Sequence, residues 1–388
     1  MKSKIHIIMK HNLVSYPPMQ SLLVAMRELG KEVVFVGQCS DSNQKSYYEE
    51  MGVSFEPIIY TPYTQPYKIL YEQKRYGKKI SQYLKKSYSK TSDIIWFEYS
   101  DLSYFMHSIL KDTDYLIHFY EFFNIKMSWK YQLMYPSYNM VKFVQRAKAV
   151  IHCEYNRAHI TRGLCGLKEL PFVLPNKPYP DNRDAYPVPV EVMATVNNLK
   201  EKLKGRKVVL YQGVFESSER RLEDFCEAIQ CLPMDYVLVA MGGGTDYYDD
   251  LKLRYESDKI IFVPFIKSPY HLLVTQLADV GILSYFPLNS SYAGVLNPLY
   301  CAPNKIFEYS KYGIPMLSND LPGLKVIYDE FHCGQIVPYP ITSEAIKNTL
   351  LNILEHHENF SEGSRRFYDS VDFKAIVSRI LQRLDYKK

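Results

Sequence analysis

The stretch that decides the fold lies in the last third of the chain, where residues 296–323 read LNPLYCAPNKIFEYSKYGIPMLSNDLPG. A helix is predicted to begin near Pro303, because proline is favoured at a helix start, where its missing N–H costs nothing. The run Pro315–Ser318 predicts a strand, and Pro322 opens the next helix. Helix, strand and helix in this order are typical of a parallel sheet covered on both faces.

The same alternation extends along the whole chain. Strands are predicted at Lys4–Met9, Val33–Val36, Phe55–Tyr60, Asp93–Phe97, Tyr115–Phe119 and Ala149–Cys153, and again at Val208–Tyr211, Tyr236–Ala240, Ile260–Val263, Val280–Ser284 and Pro315–Ser318. A proline-rich polar stretch over residues 174–181 separates the two groups, since it cannot continue a helix or a central strand. We therefore expect an α/β protein with two domains facing each other across a cleft, residues 1–175 and 176–370. A helix over 371–388 is expected to pack back toward the first domain.

Composition places the chain among soluble globular proteins. It has 388 residues, of which 47% are apolar and 23% charged, and its seven cysteines follow neither a disulfide nor a zinc-site pattern. The first residues are too short an apolar run for a signal peptide, and no long apolar stretch follows, so we expect a cytoplasmic protein. Residues 1–175 hold 23 Lys and Arg against 15 Asp and Glu, whereas residues 176–388 hold 24 against 27. The first domain is therefore expected to face an anionic partner.

A basic amphipathic helix is predicted over residues 67–90, which hold eight Lys or Arg and a single acid, Glu72. With Lys126, Trp129 and Lys130, this helix would suit an anionic membrane surface or a lipid-diphosphate acceptor. A solvated helix whose apolar stripe packs on the sheet explains the pattern equally well. Nucleic-acid binding is not expected, because no nucleic-acid motif accompanies the charge.

Two glycine-containing turns follow predicted strands in the second domain. Gly213 precedes a polar loop, and Gly243 lies in a run of three glycines. Glycine lets the backbone approach a phosphate, and Arg220, just inside a helix expected to begin near Glu219, would neutralise phosphate oxygens. Plain tight turns are the alternative for both sites.

The helix predicted to begin at Pro303 carries three polar residues of interest. The N–H groups of Asn304 and Lys305 are free at the helix start. The charge of Lys305 opposes the helix dipole there, which is unfavourable unless an anion is bound. Glu308 lies one turn further on the same face, so a surface Lys305–Glu308 ion pair is the alternative interpretation.

This segment resembles the donor-site signature of the GT-B-fold glycosyltransferases, most closely the family-4-like group (glycosyl transferases group 1), and the resemblance extends over the whole chain. It implies two Rossmann-like domains, an acceptor-binding half followed by a nucleotide-sugar-binding half. In the family the glutamate at this place holds the donor ribose hydroxyls, a role the resemblance gives to Glu308. It gives diphosphate contacts to Gly213 and Arg220, with Arg221 as the less favoured choice.

Further donor contacts follow from the same resemblance. Val263 and Phe265, at a strand end, would read the nucleobase mostly through backbone groups, and Gly243, Asn304 and Lys305 complete the expected donor site. One residue departs from the family pattern, because Tyr300 stands where the family has a first glutamate eight residues before Glu308. That departure leaves open the transferred sugar, the stereochemical outcome and whether the chain is active.

In the first domain the match is weaker. His118, at the end of the strand Tyr115–Phe119, is similar in position to a family histidine that faces the donor sugar. Glu121 would act as a general base or hold an acceptor hydroxyl, and Asn12 would line the cleft. The alternatives are a histidine buried in the sheet, an exposed glutamate and a turn asparagine.

Metal-independent chemistry without a cofactor is expected. The sequence Asp112-Thr113-Asp114 precedes a strand, so we interpret it as a turn away from the cleft, and no His, Asp or Glu cluster has metal-ligand spacing. Arg220, Lys305 and helix-start N–H groups would stabilise the departing nucleoside diphosphate instead.

Together these observations predict a glycosyltransferase that moves a sugar from a UDP- or GDP-linked donor to a glycan or lipid-linked acceptor hydroxyl. Bacterial surface polysaccharide or lipid-linked glycan synthesis, at the inner face of the membrane, is the expected setting. Two alternatives remain open. A UDP-sugar 2-epimerase of the same fold would need several acid/base groups in the cleft, and a non-catalytic partner subunit of a transferase would fit the presence of Tyr300.

Overall fold

The computed structural model describes residues 4–123, 127–180, 187–288 and 291–386. The chain divides into two compact units, the first made of Met1–Asp181 with Asp372–Lys388 and the second of Asn182–Val371. Each unit contains one parallel sheet with helices on both faces. The α/β prediction is therefore confirmed.

The strands of the first unit are β1 (Lys4–Asn12), β2 (Glu32–Gln38), β3 (Val53–Glu56), β4 (Asp93–Glu98), β5 (Tyr115–Phe119), β6 (Ala149–His152) and β7 (Phe172–Val173). They pair in parallel in the order β3-β2-β1-β4-β5-β6-β7. The central strands are apolar and buried on both faces, as Ile7, Trp96 and Ile117 illustrate. The direction of winding reverses between β1 and β4, and open parallel sheets bind ligands at such a reversal, beyond the carboxyl ends of the strands.

Helices of the first unit cover both faces of this sheet. They are α1 (Pro17–Glu28), α2 (Ser42–Glu50), α3 (Pro66–Ser87), α4 (Ser103–Ile109), α5 (Trp129–Met134), α6 (Met140–Arg146) and α7 (Tyr155–Cys165), with a 3-10 turn at Leu13–Ser15. Helix α1 contributes Leu22 and Leu23 to the core on one face. On the other face, α3 contributes Tyr76, Ile80 and Leu84.

The second unit repeats the plan with six strands. They are β8 (Lys207–Gln212), β9 (Tyr236–Gly242), β10 (Ile260–Pro264), β11 (Val280–Leu283), β12 (Met316–Asn319) and β13 (Gly334–Val337), ordered β10-β9-β8-β11-β12-β13 and parallel throughout. Its helices are α8 (Val190–Leu203), α9 (Glu223–Gln230), α10 (Asp246–Tyr255), α11 (Leu272–Thr275), α12 (Tyr292–Leu299), α13 (Asn304–Lys311), α14 (Pro322–Phe331), α15 (Ser343–Glu355) and α16 (His357–Ser370). Here the winding reverses between β8 and β11.

The last helix, α17 (Phe373–Tyr386), belongs to the first unit. Its apolar stripe, which includes Phe373, Val377 and Ile380, joins the core that α1 covers. Lys374 Nζ lies 2.6 Å from Glu28 Oε2 at the end of α1. The apolar spacing in the sequence thus corresponds to a helix that packs on the first sheet.

Several boundaries differ from the sequence prediction. Strand β3 begins at Val53 and ends before Pro57, because proline has no N–H to donate to a neighbouring strand. The strands β7 and β13 were not predicted. A helix is also predicted by sequence to begin near Ser268; in the structure, α11 begins at Leu272, after a turn. Of the helices in the described ranges, none is both long enough and apolar enough to span a bilayer.

Candidate active site

A buried carboxylate organises the carboxyl edge of the second sheet. Glu308, on α13, lies with Oε1 3.1 Å from His271 Nε2, and its Oε2 accepts a 2.7 Å hydrogen bond from Gln212 Nε2. Gln212 ends β8, and its own Oε1 accepts a 2.7 Å bond from Thr275 Oγ1. Burial alone would raise the pKa of Glu308, but His271, Gln212 and Lys305 together lower it below its ordinary value. The side chain is therefore held ionised and in one orientation.

Lys305 lies beside this carboxylate and is equally buried. Its residue is 8% exposed and Glu308 is 7% exposed, so the surface ion-pair interpretation is wrong. Nζ stands 4.5 Å from the centre of the Tyr211 ring and 5.1 Å from that of Tyr285, and it has no hydrogen-bond partner among the described residues. Burial and the nearby Arg220 lower the pKa of Lys305 to about 7. The Glu308 carboxylate is near this buried ammonium, but among the described residues no anion is hydrogen-bonded to it.

Gly213 brings its backbone close to this ammonium. Its φ is +135°, a region that favours glycine, and a Cβ at this position would lie 3.4 Å from Lys305 Nζ. Gly243, at φ +144°, stands close to the next strand end, because a Cβ there would lie 4.0 Å from the backbone nitrogen of Phe265. Both glycines therefore keep backbone accessible at the carboxyl edge of the sheet.

The structure corrects the predicted position of the two arginines. Helix α9 begins at Glu223, not near Glu219, so Arg220 and Arg221 lie in the loop that precedes it. The Arg220 guanidinium lies 5.3 Å from the centre of the same Tyr285 ring that Lys305 contacts. The Arg221 guanidinium lies 4.0 Å from the Phe286 ring instead. Arg220 and Lys305 thus share one aromatic ring, whereas Arg221 packs on another.

The fold brings these groups together at the point where the winding of the second sheet reverses. Gln212 ends β8 and Tyr285 follows β11, the adjacent strand. Pro303 precedes α13 with an extended backbone and no side-chain cap, so the first N–H groups of that helix remain available. Of the other predicted donor residues, Asn304 is half-buried at this helix start, Val263 is buried in β10 and Phe265 is exposed just beyond it.

In the first unit, the predicted residues are placed differently. His118 is buried in β5, its Nδ1 accepts a 3.3 Å bond from Trp96 Nε1, and burial lowers its pKa to about 3. Glu121 lies exposed beyond the strand. Asn12 Oδ1 accepts the N–H groups of Val14 and Ser40, at 3.4 and 3.1 Å. These placements correspond to the alternatives of a buried histidine, an exposed glutamate and a turn asparagine.

Sequence reasoning missed a second polar pair at the edge of the first sheet. His11, near the end of β1, has Nδ1 2.8 Å from Oε1 of Glu98, the last residue of β4. It also missed His271 and Gln212 around Glu308. A usable signal existed for His11 and Glu98, since both residues are polar and lie at the ends of largely apolar strand sequences that a parallel sheet places side by side.

The Asp-x-Asp sequence lies in a turn, as predicted. Residues 112–114 precede β5, and Asp114 Oδ1 stands 3.6 Å from Lys148 Nζ. Within the described ranges, no three His, Cys, Asp or Glu side chains are grouped so that they could hold a metal ion.

The basic helix α3 combines a packed stripe with an exposed aromatic end. Tyr76, Ile80 and Leu84 are buried in the core, as the packed-helix alternative predicted. Tyr67, in the first turn of α3, and Trp129, in α5, are each 69% exposed. Lys126 lies outside the described residues.

No protein-family model matches the sequence, and no curated protein matches it either. Solved structures do match over the full length. Sucrose-phosphate synthase of Thermosynechococcus elongatus is 17% identical, with a TM-score of 0.68 and 98% of both chains covered. A glycosyltransferase of Rickettsia africae is 13% identical, with a TM-score of 0.68 and 100% of both chains covered. HepE of Anabaena, solved with UDP-glucose, is 14% identical, with a TM-score of 0.67, 98% of this chain covered and 99% of that one. These neighbours are GT-B glycosyltransferases, and their likeness establishes the fold of this chain.

Proposed function

We propose that this chain, which has the GT-B fold over its full length, is a glycosyltransferase that uses a nucleoside-diphosphate sugar, with UDP as the nucleotide. The observation that carries the proposal is the buried ammonium of Lys305, which lacks a hydrogen-bond partner among the described residues and lies beside the backbone of Gly213. A diphosphate supplies the missing anionic partner. The UDP-glucose complex of the structural neighbour HepE supports the choice of nucleotide.

Charge and geometry support a division of roles around the donor. Lys305 and Arg220 both lie against the Tyr285 ring and would share the diphosphate charge. Among the described residues, each Glu308 oxygen has one partner, His271 or Gln212, and a carboxylate oxygen accepts two hydrogen bonds. Glu308 therefore has capacity left for the ribose hydroxyls.

The two cationic side chains also support a metal-independent mechanism. In the transition state, negative charge develops on the departing nucleoside diphosphate, and positioned positive groups in a water-poor site stabilise it. Lys305 and Arg220 meet that description, because both stand against buried aromatic rings.

We expect transfer to proceed at an unchanged rate in the presence of EDTA. A rate that falls with EDTA and returns with Mg²⁺ or Mn²⁺ would contradict this part of the proposal.

We assign acceptor binding to the first unit. We propose that the protein acts at the cytoplasmic face of a membrane, in the synthesis of a surface polysaccharide or lipid-linked glycan. The support is an exposed aromatic and basic patch, defined here as Tyr67, Lys68, Tyr71, Trp129 and Lys130. The three rings are largely exposed, and the ammonium groups of Lys68 and Lys130 lie 6.0 and 5.8 Å from the centres of the Tyr67 and Trp129 rings. Tyr135 Oη donates a 2.9 Å bond to Gln73 Oε1, which ties α5 to α3 and keeps the patch together.

Aromatic rings flanked by lysines suit the headgroup region of an anionic bilayer. The protein is therefore expected to sediment with vesicles containing phosphatidylglycerol at low salt and to be released at high salt. Replacing both Tyr67 and Trp129 by Ser should abolish sedimentation, whereas replacing Leu253, an exposed leucine of the second unit, by Ser should not. Equal binding to neutral phosphatidylcholine vesicles would contradict the charge argument.

The donor assignment is tested by calorimetric titration with UDP, GDP, ADP and dTDP, followed by incubation with the corresponding sugars. We expect UDP to bind to the wild-type protein, and we expect Glu308→Gln to weaken the affinity for UDP at least tenfold. Glu344→Gln is the matched control, since Glu344 is an exposed glutamate of the same unit that pairs with Lys347. If no nucleotide binds, the donor-site proposal fails and the partner-subunit alternative gains support. Conversion of the UDP-sugar to its 2-epimer without transfer would favour the epimerase.

A further inference from the structure

The position of Arg220 depends on the loop that carries it. Residues 213–222 form this loop, between the end of β8 and the start of α9. Within the loop, the Arg220 N–H donates a 2.8 Å hydrogen bond to the Glu216 carbonyl, and the guanidinium lies 3.5 Å from Glu219 Oε1. A loop lacks the regular hydrogen bonds of a helix or sheet, so its contacts with neighbouring elements decide where the guanidinium stands.

The end of strand β11 holds this loop in place. Ser284 Oγ donates a 2.9 Å hydrogen bond to the Arg221 carbonyl. The Phe286 N–H donates a 2.7 Å bond to the Glu219 carbonyl. The loop backbone is therefore attached to the end of β11 on both sides of Arg220.

Tyr285, between those two anchors, is itself held by a side chain from the next strand. Its N–H donates a 3.2 Å bond to Asn319 Oδ1, and its carbonyl accepts a bond from Asn319 Nδ2. Asn319 ends β12, which pairs in parallel with β11, and it is 2% exposed. A carboxamide carries a donor and an acceptor side by side, so it can bind both backbone groups of one residue. One buried side chain thus clamps the backbone of Tyr285.

The Tyr285 ring is the surface that both cations of the donor site contact. Its centre lies 5.3 Å from the Arg220 guanidinium and 5.1 Å from Lys305 Nζ. An aromatic face attracts a cation, and a buried ring in a close-packed interior has little room to move. The two positive charges repel each other, and a carboxylate lies near each of them, Glu219 and Glu308 respectively. The spacing between the cations therefore depends on the position of this ring.

We infer that Asn319 is a positioning residue of the diphosphate site. By clamping Tyr285 it fixes the distance between Arg220 and Lys305, and a diphosphate binds tightly only when both cations reach its oxygens. The inference rests on the proposed donor site and deepens it. The nucleoside part of the donor is expected to be unaffected, because Glu308, the residue proposed for the ribose, is held by a separate set of side chains.

The test compares UDP, which carries the diphosphate, with uridine, which does not. UDP binding is measured by calorimetric titration and uridine binding by ligand-observed NMR. Asn319→Ala removes both clamp bonds, so the Kd for UDP is expected to rise about tenfold, while the Kd for uridine changes by less than about twofold. Equal weakening of UDP and uridine would overturn the inference, because it would mean that Asn319 only supports the fold.

Ser364→Ala is the matched control for this variant. It removes another buried side-chain bond to the backbone of the same unit, the 2.9 Å bond from Ser364 Oγ to the Ile314 carbonyl. It is expected to lose stability in urea denaturation and to keep its UDP affinity. A loss of UDP affinity in Ser364→Ala as large as that in Asn319→Ala would contradict a specific role for Asn319.

A second variant reaches the ring without touching the clamp. Tyr285→Leu keeps the backbone groups that Asn319 binds but removes the aromatic face, and it is expected to raise the Kd for UDP about tenfold. An unchanged Kd would overturn the inference, even if Asn319→Ala failed to fold. In the double variant, the combined loss of UDP affinity is expected to be smaller than the product of the two single effects, because both act on the same ring. Effects that multiply would show that Asn319 acts by another route.

Failure of this inference can be told apart from failure of the donor assignment. If wild-type protein binds neither UDP nor UDP-glucose, the donor assignment fails and the inference fails with it. If wild-type protein binds UDP and Asn319→Ala binds it equally well, the inference alone is overturned and the donor assignment stands.

Discussion

The polar sites of the two units occupy equivalent places in their sheets but are built in opposite ways. In the second unit the charged groups themselves are buried, since Lys305 and Glu308 both lie among aromatic and amide side chains. In the first unit only the supporting carboxylate of Glu98 is buried, and the histidine it holds is open to solvent. The arrangement in the second unit matches the ligand we propose for it, because a multiply charged diphosphate is held by desolvated charges. In the first unit one buried carboxylate orients a half-buried imidazole.

The comparison also predicts different costs of mutation. A buried charge that loses its partner is strongly destabilising, because the remaining group stays desolvated. The half-buried imidazole of His11 can be replaced by Asn at less cost to folding, because the amide keeps an N–H for the buried Glu98. Stability should therefore respond more strongly to such changes in the second unit than in the first.

The largest effect is expected for Glu308→Ala. It removes the partner of His271 and Gln212 and leaves Lys305 without its nearest buried carboxylate. We expect a loss of about 3–5 kcal/mol in the free energy of unfolding, measured by urea denaturation. His11→Asn should cost under about 1 kcal/mol in the same assay. Equal losses in the two variants would remove the distinction between the sites.

Gly213→Ala is expected to reduce both stability and donor binding. The positive φ makes any L side chain strained there, at a cost of about 1–3 kcal/mol, and the Cβ would lie beside Lys305 Nζ. UDP affinity should fall about tenfold, by calorimetric titration. Gly205→Ala is the matched control, because Gly205 also has a positive φ but open space around its Cβ. It should lose stability and keep UDP affinity.

Lys305 is expected to make stability depend on pH. Its pKa in the folded protein is about 7, below the value of about 10.4 in the unfolded chain, so the unfolded state binds more protons between these values. Stability should therefore rise with pH in that window, by about 2 kcal/mol from pH 7 to 9 relative to Lys305→Met. The difference between the two proteins is measured by denaturation at each pH. A flat difference would mean that Lys305 is not desolvated.

The smallest effect is expected for Asn12→Ala in the first unit. The Asn12 side chain accepts two backbone N–H groups and donates to Ser40 Oγ, so its loss should cost about 1 kcal/mol. Thermal unfolding should show this loss without any change in UDP affinity. Thr342→Ala, which removes a comparable cap from α15, provides the control in the second unit. If Asn12→Ala lost nucleotide binding and Thr342→Ala did not, Asn12 would have a role beyond stabilising its turn.

Much of the fold was predictable, because apolar runs followed by helical spacing are local signals. Strand β5 was placed at its observed bounds from five consecutive residues, Tyr115–Phe119. The strand β13 was missed, since Gly334–Val337 is short, contains a glycine and is only partly buried. The start of α9 was placed too early, because the charged loop before it has no proline or cap that marks the true start at Glu223.

The candidate sites were predictable to different degrees. Asn304, Lys305 and Glu308 lie on one helix, so a single segment of sequence pointed to them. Their burial could not be predicted, because it depends on Tyr211 and Tyr285 from two other strand ends. His11 and Glu98 are 87 residues apart, and only the pairing of β1 with β4 brings them together.

The central claim is that the buried ammonium of Lys305 binds a nucleoside diphosphate, and proton uptake on binding tests it most directly. At pH 8 a lysine with a pKa of about 7 is mostly neutral, and a bound diphosphate should restore its charge. Calorimetric titration of UDP in two buffers with different ionisation enthalpies is expected to show uptake of nearly one proton by the wild-type protein and none by Lys305→Met. UDP binding by the wild-type protein without proton uptake, or no UDP binding at all, would contradict the account.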